Sequence, residues 1–247
     1  MSLPPPVSIR LTTLPSYDCN YLPGRVATTR GFRIERLPPG VYDKFMNAGF
    51  RRSGLVVYQP VCQHCRECVP IRVPVDRFSP NKSQRRCART NADLVVTEGL
   101  PDLTDEKLEL YRRYITQWHG KQPGESEQVD RESVEAFLYQ SPVDTREFCY
   151  RTPAGKLVGV GIVDVSRQVL SSVYFYFDPA ESSRGLGTYS ALYELDWAKR
   201  RGISFYHMGF WIRDCDTMKY KERFQPAEML GSDGAWYGKP EIHDSFA

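Results

Sequence analysis

The sequence predicts an α+β protein in which a mixed, largely antiparallel sheet is flanked by helices. Three observations carry that expectation. Residues 146–177 hold three runs rich in Val, Ile and Tyr, separated by turn signals. A glycine-rich turn at 182–187 opens onto an apolar stripe with helical spacing, and the stretch after Asp105 shows the same helical period. The 247 residues, 41% hydrophobic and 26% charged, suit one large domain or two small ones sharing a core.

We divide the chain into an N-terminal Cys- and Arg-rich domain, residues 1–95, and a C-terminal domain, residues 96–247. Residues 1–90 show little helical periodicity, and we expect short strands there, such as 54–59, and one short helix near 41–48. In the second part, Leu108, Tyr111, Ile115 and Trp118 mark a helix that Thr104 caps, with Lys107 in place of the usual acidic partner. A polar loop at 120–128 leads to a second helix marked by Val134, Phe137 and Leu138. Strands are expected at 146–151, Leu157–Val165 and Val169–Phe177, the first two joined by the turn Thr152-Pro153-Ala154-Gly155. Asp178-Pro179 ends the third. The helix after the glycine turn carries Tyr189, Leu192, Tyr193 and Trp197 on one stripe and stops at Gly202; a last strand follows at 203–212. An antiparallel meander entering a glycine-rich turn at a helix N-terminus resembles the core of the GNAT-type acyltransferase fold, which by itself fixes no function.

Charge is uneven. Residues 1–100 hold 15 Lys/Arg against 7 Asp/Glu, a net of +8, and the remainder carries a net of −5. A basic half attracts phosphates. No apolar run approaches the roughly 18 residues of a membrane span, and the start, MSLPPPVSIR, lacks an apolar signal core. A cytoplasmic protein with reduced cysteines is expected.

Three clusters carry the candidate chemistry. At Gly185-x-Gly187 a helix N-terminus offers unpaired N–H groups, and glycines let a ligand approach them. Acetyl-CoA-dependent proteins of the GNAT type have Gln or Arg three residues before the first glycine. Ser182 stands there in this chain, which argues against acetyl-CoA as donor. Cys62-x-x-Cys65-x-x-Cys68, with Cys19 upstream, has spacing that suits zinc or part of an iron–sulfur site. Reduced structural thiols are the reading we prefer. The third cluster is Tyr206–Ile212 by composition a core strand, followed by Met218-Lys219-Tyr220-Lys221 just past its end.

In order along residues 15–230, many segments resemble the aminoacyl-tRNA–protein transferase (arginyltransferase) family. They are Asp18-Cys19-Asn20-Tyr21, Phe50-Arg51-Arg52-Ser53-Gly54, Tyr58-Gln59-Pro60, Pro70-Ile71-Arg72, Ser171-Ser172-Val173-Tyr174, Tyr176, Asp178-Pro179, Leu186-Gly187, Tyr189-Ser190-Ala191-Leu192, Met208-Gly209-Phe210 and Met218-Lys219-Tyr220-Lys221. Leu22, where the eukaryotic pattern has a second cysteine, and the C-x-x-C-x-x-C run point to the bacterial branch, the aspartate/glutamate leucyltransferases. The resemblance implies leucyl-tRNA as donor, proteins with N-terminal Asp or Glu as acceptors, and tagging for N-end-rule degradation. It leaves arginyl-tRNA as an alternative donor. A non-catalytic nucleic-acid-binding module is the competing class, and it leaves the C-terminal half without a purpose.

The implied chemistry is aminolysis of an activated ester, which requires no cofactor. An α-amine has a pKa of about 7.7–8.0, so much of it is already neutral. We expect Gly185, Gly187, Tyr189 and Ser190 to hold the donor's end. Asp164, Tyr174 and Tyr220 are candidates to relay the proton. Arg51, Arg52 and Lys219 are candidates for the acceptor's carboxylate. The tRNA is expected along the basic N-terminal half.

Overall fold

The structure, a computed structural model, describes residues 8–38, 40–118 and 129–238. The polar loop expected at 120–128 lies outside them. The chain begins with β1 (Thr12–Thr13), β2 (Tyr17–Asp18), β3 (Val26–Ala27), β4 (Thr29–Arg33), helix α1 (Val41–Asn47), β5 (Arg51–Ser53) and β6 (Val56–Pro60). Strands β1, β4, β6 and β5 pair in that order, antiparallel, and β2 pairs with β3. The helix expected at 41–48 is present, and the strand expected at 54–59 is β6.

Next come β7 (Val69–Pro74), α2 (Lys82–Thr90), β8 (Val95–Gly99) and α3 (Asp105–Trp118). Thr104 accepts the Lys107 backbone N–H at 3.4 Å, the expected cap. A single α-turn, α4 (Arg131–Val134), runs into a π-helical turn at Glu135–Tyr139, where one continuous helix was expected; Leu138 is buried and Phe137 is exposed. The meander follows as β9 (Thr145–Arg151), β10 (Leu157–Val165) and β11 (Val169–Phe177). A 3-10 turn, Pro179–Arg184, leads through Gly185 at φ 66° into α5 (Leu186–Arg200). Then come β12 (Phe205–Trp211), the short α6 (Asp216–Lys219), a 3-10 turn at Tyr220–Arg223, β13 (Glu228–Leu230) and β14 (Trp236–Gly238).

The main sheet has eight strands in the order β14-β13-β7-β12-β11-β10-β9-β8. It is mixed and largely antiparallel, the architecture expected of a GNAT-like fold; β11 and β12 form its parallel pair, and α5 makes the crossover between them. Helix α3 packs against β10 and β11, while α5 packs against β11, β12 and α2. Eight of the nine β10 residues are buried, because helices cover both faces of the sheet centre. Strand β7, from the first 95 residues, sits between β12 and β13, so the hydrogen bonding of the main sheet crosses the 95/96 division.

Two irregularities shape the middle of this sheet. Strands β11 and β12 pair only through Val169↔Phe205, Leu170↔Tyr206 and Ser171↔His207, although both run on beyond that point. There the register of β10 with β11 skips Val173, and that of β12 with β7 skips Met208. A bulge bends its strand and increases local twist. One bulge on each strand just past the last shared pair opens a gap between them.

Candidate active site

Arg51, on β5, reaches the mouth of this gap. Its guanidinium donates to Ser171 Oγ at 2.8 Å and to the Ser172 carbonyl, fixing β11 where it leaves β12. Across from it, Gly209 has φ 89°, and a Cβ there would lie 3.4 Å from the Arg51 guanidinium. Glycine therefore serves both the left-handed backbone and the close approach. Arg51, one of the three predicted acceptor cations, is buried but stands at the gap.

Its neighbour Arg52 does not. Arg52 donates to Asp164 twice, Nε to Oδ2 at 2.7 Å and Nη2 to Oδ1 at 2.8 Å, and also to the carbonyls of Gly54 and Gln140. Asp164 also accepts from Tyr42 Oη at 2.6 Å and Thr145 Oγ1 at 2.7 Å. Both side chains have no exposed surface. This corrects two expectations. Asp164 has its acceptor sites occupied and is no proton relay, and Arg52 has no donor directed to a substrate. Gly54 permits a close backbone approach by a protein segment: a Cβ there would collide with the Ala136 carbonyl.

The carboxyl group at the gap is Glu194, on α5. Ser190 Oγ donates to its Oε1 at 2.7 Å and Tyr206 Oη to its Oε2 at 2.6 Å. Ser172 also donates to it, yet burial pushes its carboxyl up to about 7. Gly161 on β10 makes room, since a Cβ there would come within 3.2 Å of Oε1. Ser190, expected at the donor, is thus buried beneath the site, holding Glu194 and accepting from Tyr150 Oη at 3.2 Å. Tyr220 has its phenol pushed up to about 12 by burial and by the Glu194 charge. Tyr174 is raised well above its usual value, first by burial, and its ring packs against Tyr111, Tyr114 and Phe137. Both phenols stay protonated at neutral pH, so they can donate hydrogen bonds.

Of the two motif lysines, Lys219 is exposed and Lys221 is buried. Lys221 Nζ donates to the Phe210 carbonyl at 2.9 Å and to Met218 Sδ at 3.2 Å. Burial lowers its ammonium to about 7, helped by the Arg51 charge. Sequence reasoning missed Glu194 and Lys221. The first stands one residue after Tyr193 of the helical stripe, with Asp196 close by, and carries no motif of its own; the second lies two residues after Lys219 in the same motif. His207 at the last shared pair is also buried and held neutral, mainly by burial, and its Nε2 has no hydrogen-bond partner among the described residues.

The loop expected to hold the donor sits at the start of α5. Gly185 is exposed, Gly187 has open space where a Cβ would be, and Tyr189 is half-buried against the Tyr150 ring. The Gly185 carbonyl accepts from the Thr188 and Tyr189 N–H groups at 3.0 and 3.1 Å, and the N–H groups of Leu186 and Gly187, the first of the helix, have no intrahelical partner. Helix α2 braces this loop: Asn91 Nδ2 donates to the Arg184 carbonyl at 2.8 Å, and Cys87 Sγ to the Gly185 carbonyl at 3.4 Å.

The predicted thiols Cys19, Cys62, Cys65 and Cys68 are free; Cys19, Cys65 and Cys68 pack around a small cluster of Leu22, Phe210 and Ile212, and Cys62 is buried. Cys68 is pushed up to about 12 by burial and by the other three cysteines. Cys65 accepts from Arg25 Nη1 at 3.3 Å and Cys62 from the Thr28 backbone at 3.5 Å. Among the described residues, no group of three or more His, Cys, Asp or Glu is arranged to hold a metal ion. None of the described helices is long and apolar enough to cross a membrane.

The strand pair that parts beyond Ser171 and His207, with the buried Glu194 and Lys221 around it, is the candidate centre of the molecule. The models "Arginine-tRNA-protein transferase, N terminus" and "Arginine-tRNA-protein transferase, C terminus" match residues 17–86 and 106–231. An aspartate/glutamate leucyltransferase of Saccharophagus degradans is 36% identical over 90% of this chain and 94% of its own length. One from Stenotrophomonas maltophilia is 40% identical over 89% of each. The chain belongs to the arginine-tRNA-protein transferase family, in its aspartate/glutamate leucyltransferase branch. Among solved structures it is similar to L-PGS from Bacillus licheniformis, with a TM-score of 0.48 and 14% identity over 70% of this chain and 59% of that one.

Proposed function

We propose that this chain transfers leucine from leucyl-tRNA to the α-amine of proteins that begin with Asp or Glu, marking them for N-end-rule degradation in the cytoplasm, where charged tRNA is found. The observation that carries the reading is the gap beyond Ser171 and His207, with Arg51, Lys221 and the Glu194–Tyr206 pair around it. The acceptor nitrogen attacks the ester carbonyl, a C–N bond forms, and the C–O bond to the terminal ribose breaks. Lys221, near 7, takes the proton from the attacking amine and can return it to the leaving ribose oxygen. Tyr220 and Tyr174 donate hydrogen bonds as negative charge develops on the carbonyl oxygen. The ester is already activated, so the step requires no cofactor.

Arg51 is the cation for the acceptor's carboxylate, and the α5 N-terminus at Gly185 and Gly187 holds the donor's end. A leucyl side chain suits the ring cluster of Tyr111, Tyr114, Phe137 and Tyr174, which presents no carboxylate for an arginyl donor. The test pairs leucyl- and arginyl-tRNA with peptides beginning with Asp, Glu or Asn. Transfer is expected from leucyl-tRNA to the Asp and Glu peptides. Preference for arginyl-tRNA, or equal use of the Asn peptide, would overturn the reading. Arg51→Gln should raise the KM for the acceptor peptide.

A further inference from the structure

Helix α2 has a charge pattern that mostly works against its own stability, Arg89 in its last turn being the exception. Its nine residues, KSQRRCART, contain four cations and no acid. Lys82, Arg85, Arg86 and Arg89 stand at i, i+3, i+4 and i+7, so they share one face, and all four are exposed. Each is a like-charge neighbour of two others, and Lys82 also sits at the positive end of the helix dipole. The acids nearby are engaged elsewhere: Asp93 pairs with Arg184, and Asp196 with Arg200. None of the four cations forms an ion pair among the described residues.

The opposite face of the same helix is firmly fixed. Asn81 and Gln84 form a reciprocal cap, with side-chain to backbone contacts of 3.0 and 2.9 Å, and Gln84 Nε2 donates to the Arg223 carbonyl at 3.2 Å. Cys87 and Asn91 hold the donor loop, as described above. The cationic face is thus held at a set position beside the start of α5. Next to it, between α2 and α5, lies a cleft of ≈ 460 Å³. Val75, Phe78, Leu192 and Leu195 give it apolar walls, with Arg85, Arg89 and Lys199 also lining it; Asp196 is its one acid. Leu192 lies about 9 Å along α5 from Leu186, at 1.5 Å per residue.

Resting on the function proposed above, we infer that the outer face of α2 and this cleft form the docking surface for the acceptor arm of the donor tRNA. The cations follow its phosphates, and the cleft seats an unpaired base of its single-stranded end. Regularly spaced cations on a helix without acids match a polyanion, and an apolar hollow beside them, with the Phe78 ring in its wall, matches a stacked base. The cationic face is on α2, which braces the loop before α5, and one wall of the cleft is on α5 itself, so one RNA strand can reach both.

The test compares wild type, Arg85→Gln/Arg86→Gln/Arg89→Gln and Ala88→Trp, with leucyl-tRNA and an Asp-initiated peptide. Glutamine keeps helix propensity and removes the self-repulsion, so circular dichroism should show an intact fold. The triple variant should raise the KM for leucyl-tRNA about tenfold and reduce the slope of log affinity against log salt by about 2–3. Ala88→Trp, which fills the cleft, should weaken tRNA binding with the salt slope unchanged. An unchanged tRNA affinity and salt slope in the triple variant, while wild type transfers leucine, would overturn the surface and leave the function standing. A rise confined to the KM of the peptide would overturn it in favour of an acceptor-protein site. Wild type that transfers from no aminoacyl-tRNA would remove the function instead.

Discussion

Two buried polar clusters sit within this molecule and behave in opposite ways. Beneath α1, Asp164 and Arg52 meet with Tyr42 and Thr145, and every strong donor and acceptor there has a partner. At the gap, Glu194 and Lys221 are as deeply buried, but neither faces an opposite charge in contact, and both titrate near 7. Burial with complete pairing fixes β5 to β10 and holds the site's wall in place. Burial without a counter-charge leaves groups that change protonation at neutral pH, where proton transfer is wanted.

The largest effect should come from breaking the complete cluster. Asp164→Asn leaves Arg52 charged and buried without its partner, which costs about 3–5 kcal/mol. Urea unfolding should show this as a clear drop in midpoint. A loss below about 1 kcal/mol would mean that the pair is not closed. Changing both partners to apolar residues should restore much of the loss.

Glu194 should show its effect in the pH dependence of stability. Its folded carboxyl lies at about 7, against 4.5 as the ordinary value, so the folded chain keeps a proton that the unfolded chain releases. Stability then falls as pH rises from about 4.5 to about 7, by on the order of 3 kcal/mol for that group. Glu194→Gln should remove that fall, as measured by unfolding at several pH values. Lys221 has the opposite slope: its folded amine lies at about 7, against 10.5, so its penalty grows as pH falls from about 10.5 to about 7. Lys221→Met should flatten that alkaline limb.

In activity, Lys221→Met should lower kcat for transfer about 100-fold while tRNA binding is retained, and the pH dependence of kcat through about 7 should vanish, leaving in kcat/KM only the rise from the acceptor amine at about 7.7–8.0. A variant with unchanged rate and pH profile would remove Lys221 from the proton path. The smallest effect is expected at Gly161→Ala. The new methyl would lie 3.2 Å from Glu194 Oε1 and 3.3 Å from Ser190 Oγ, so one of them must shift, at a cost of about 1–2 kcal/mol in thermal unfolding.

The chain's local pattern determined the helices α3 and α5 and the meander of β9, β10 and β11, since residues within one turn or one hairpin set those patterns. It also determined the order of family motifs, and with them the class of reaction. Helix α2 was legible in principle, from Asn81 and Gln84 as a cap, but its nine residues carry no apolar period to mark it. Tertiary structure alone decided the rest. Nothing near Val69–Pro74 says that β7 will lie between β12 and β13, because the partners are over 130 residues away. Likewise, nothing in the sequence around Asp164 or Glu194 says which of the two will be paired with a cation. Arg52 arrives beside one from 112 residues away and pairs it, and no cation touches the other. Side-chain charge state depends on what the fold brings within a few ångströms, and that distance is not written along the chain.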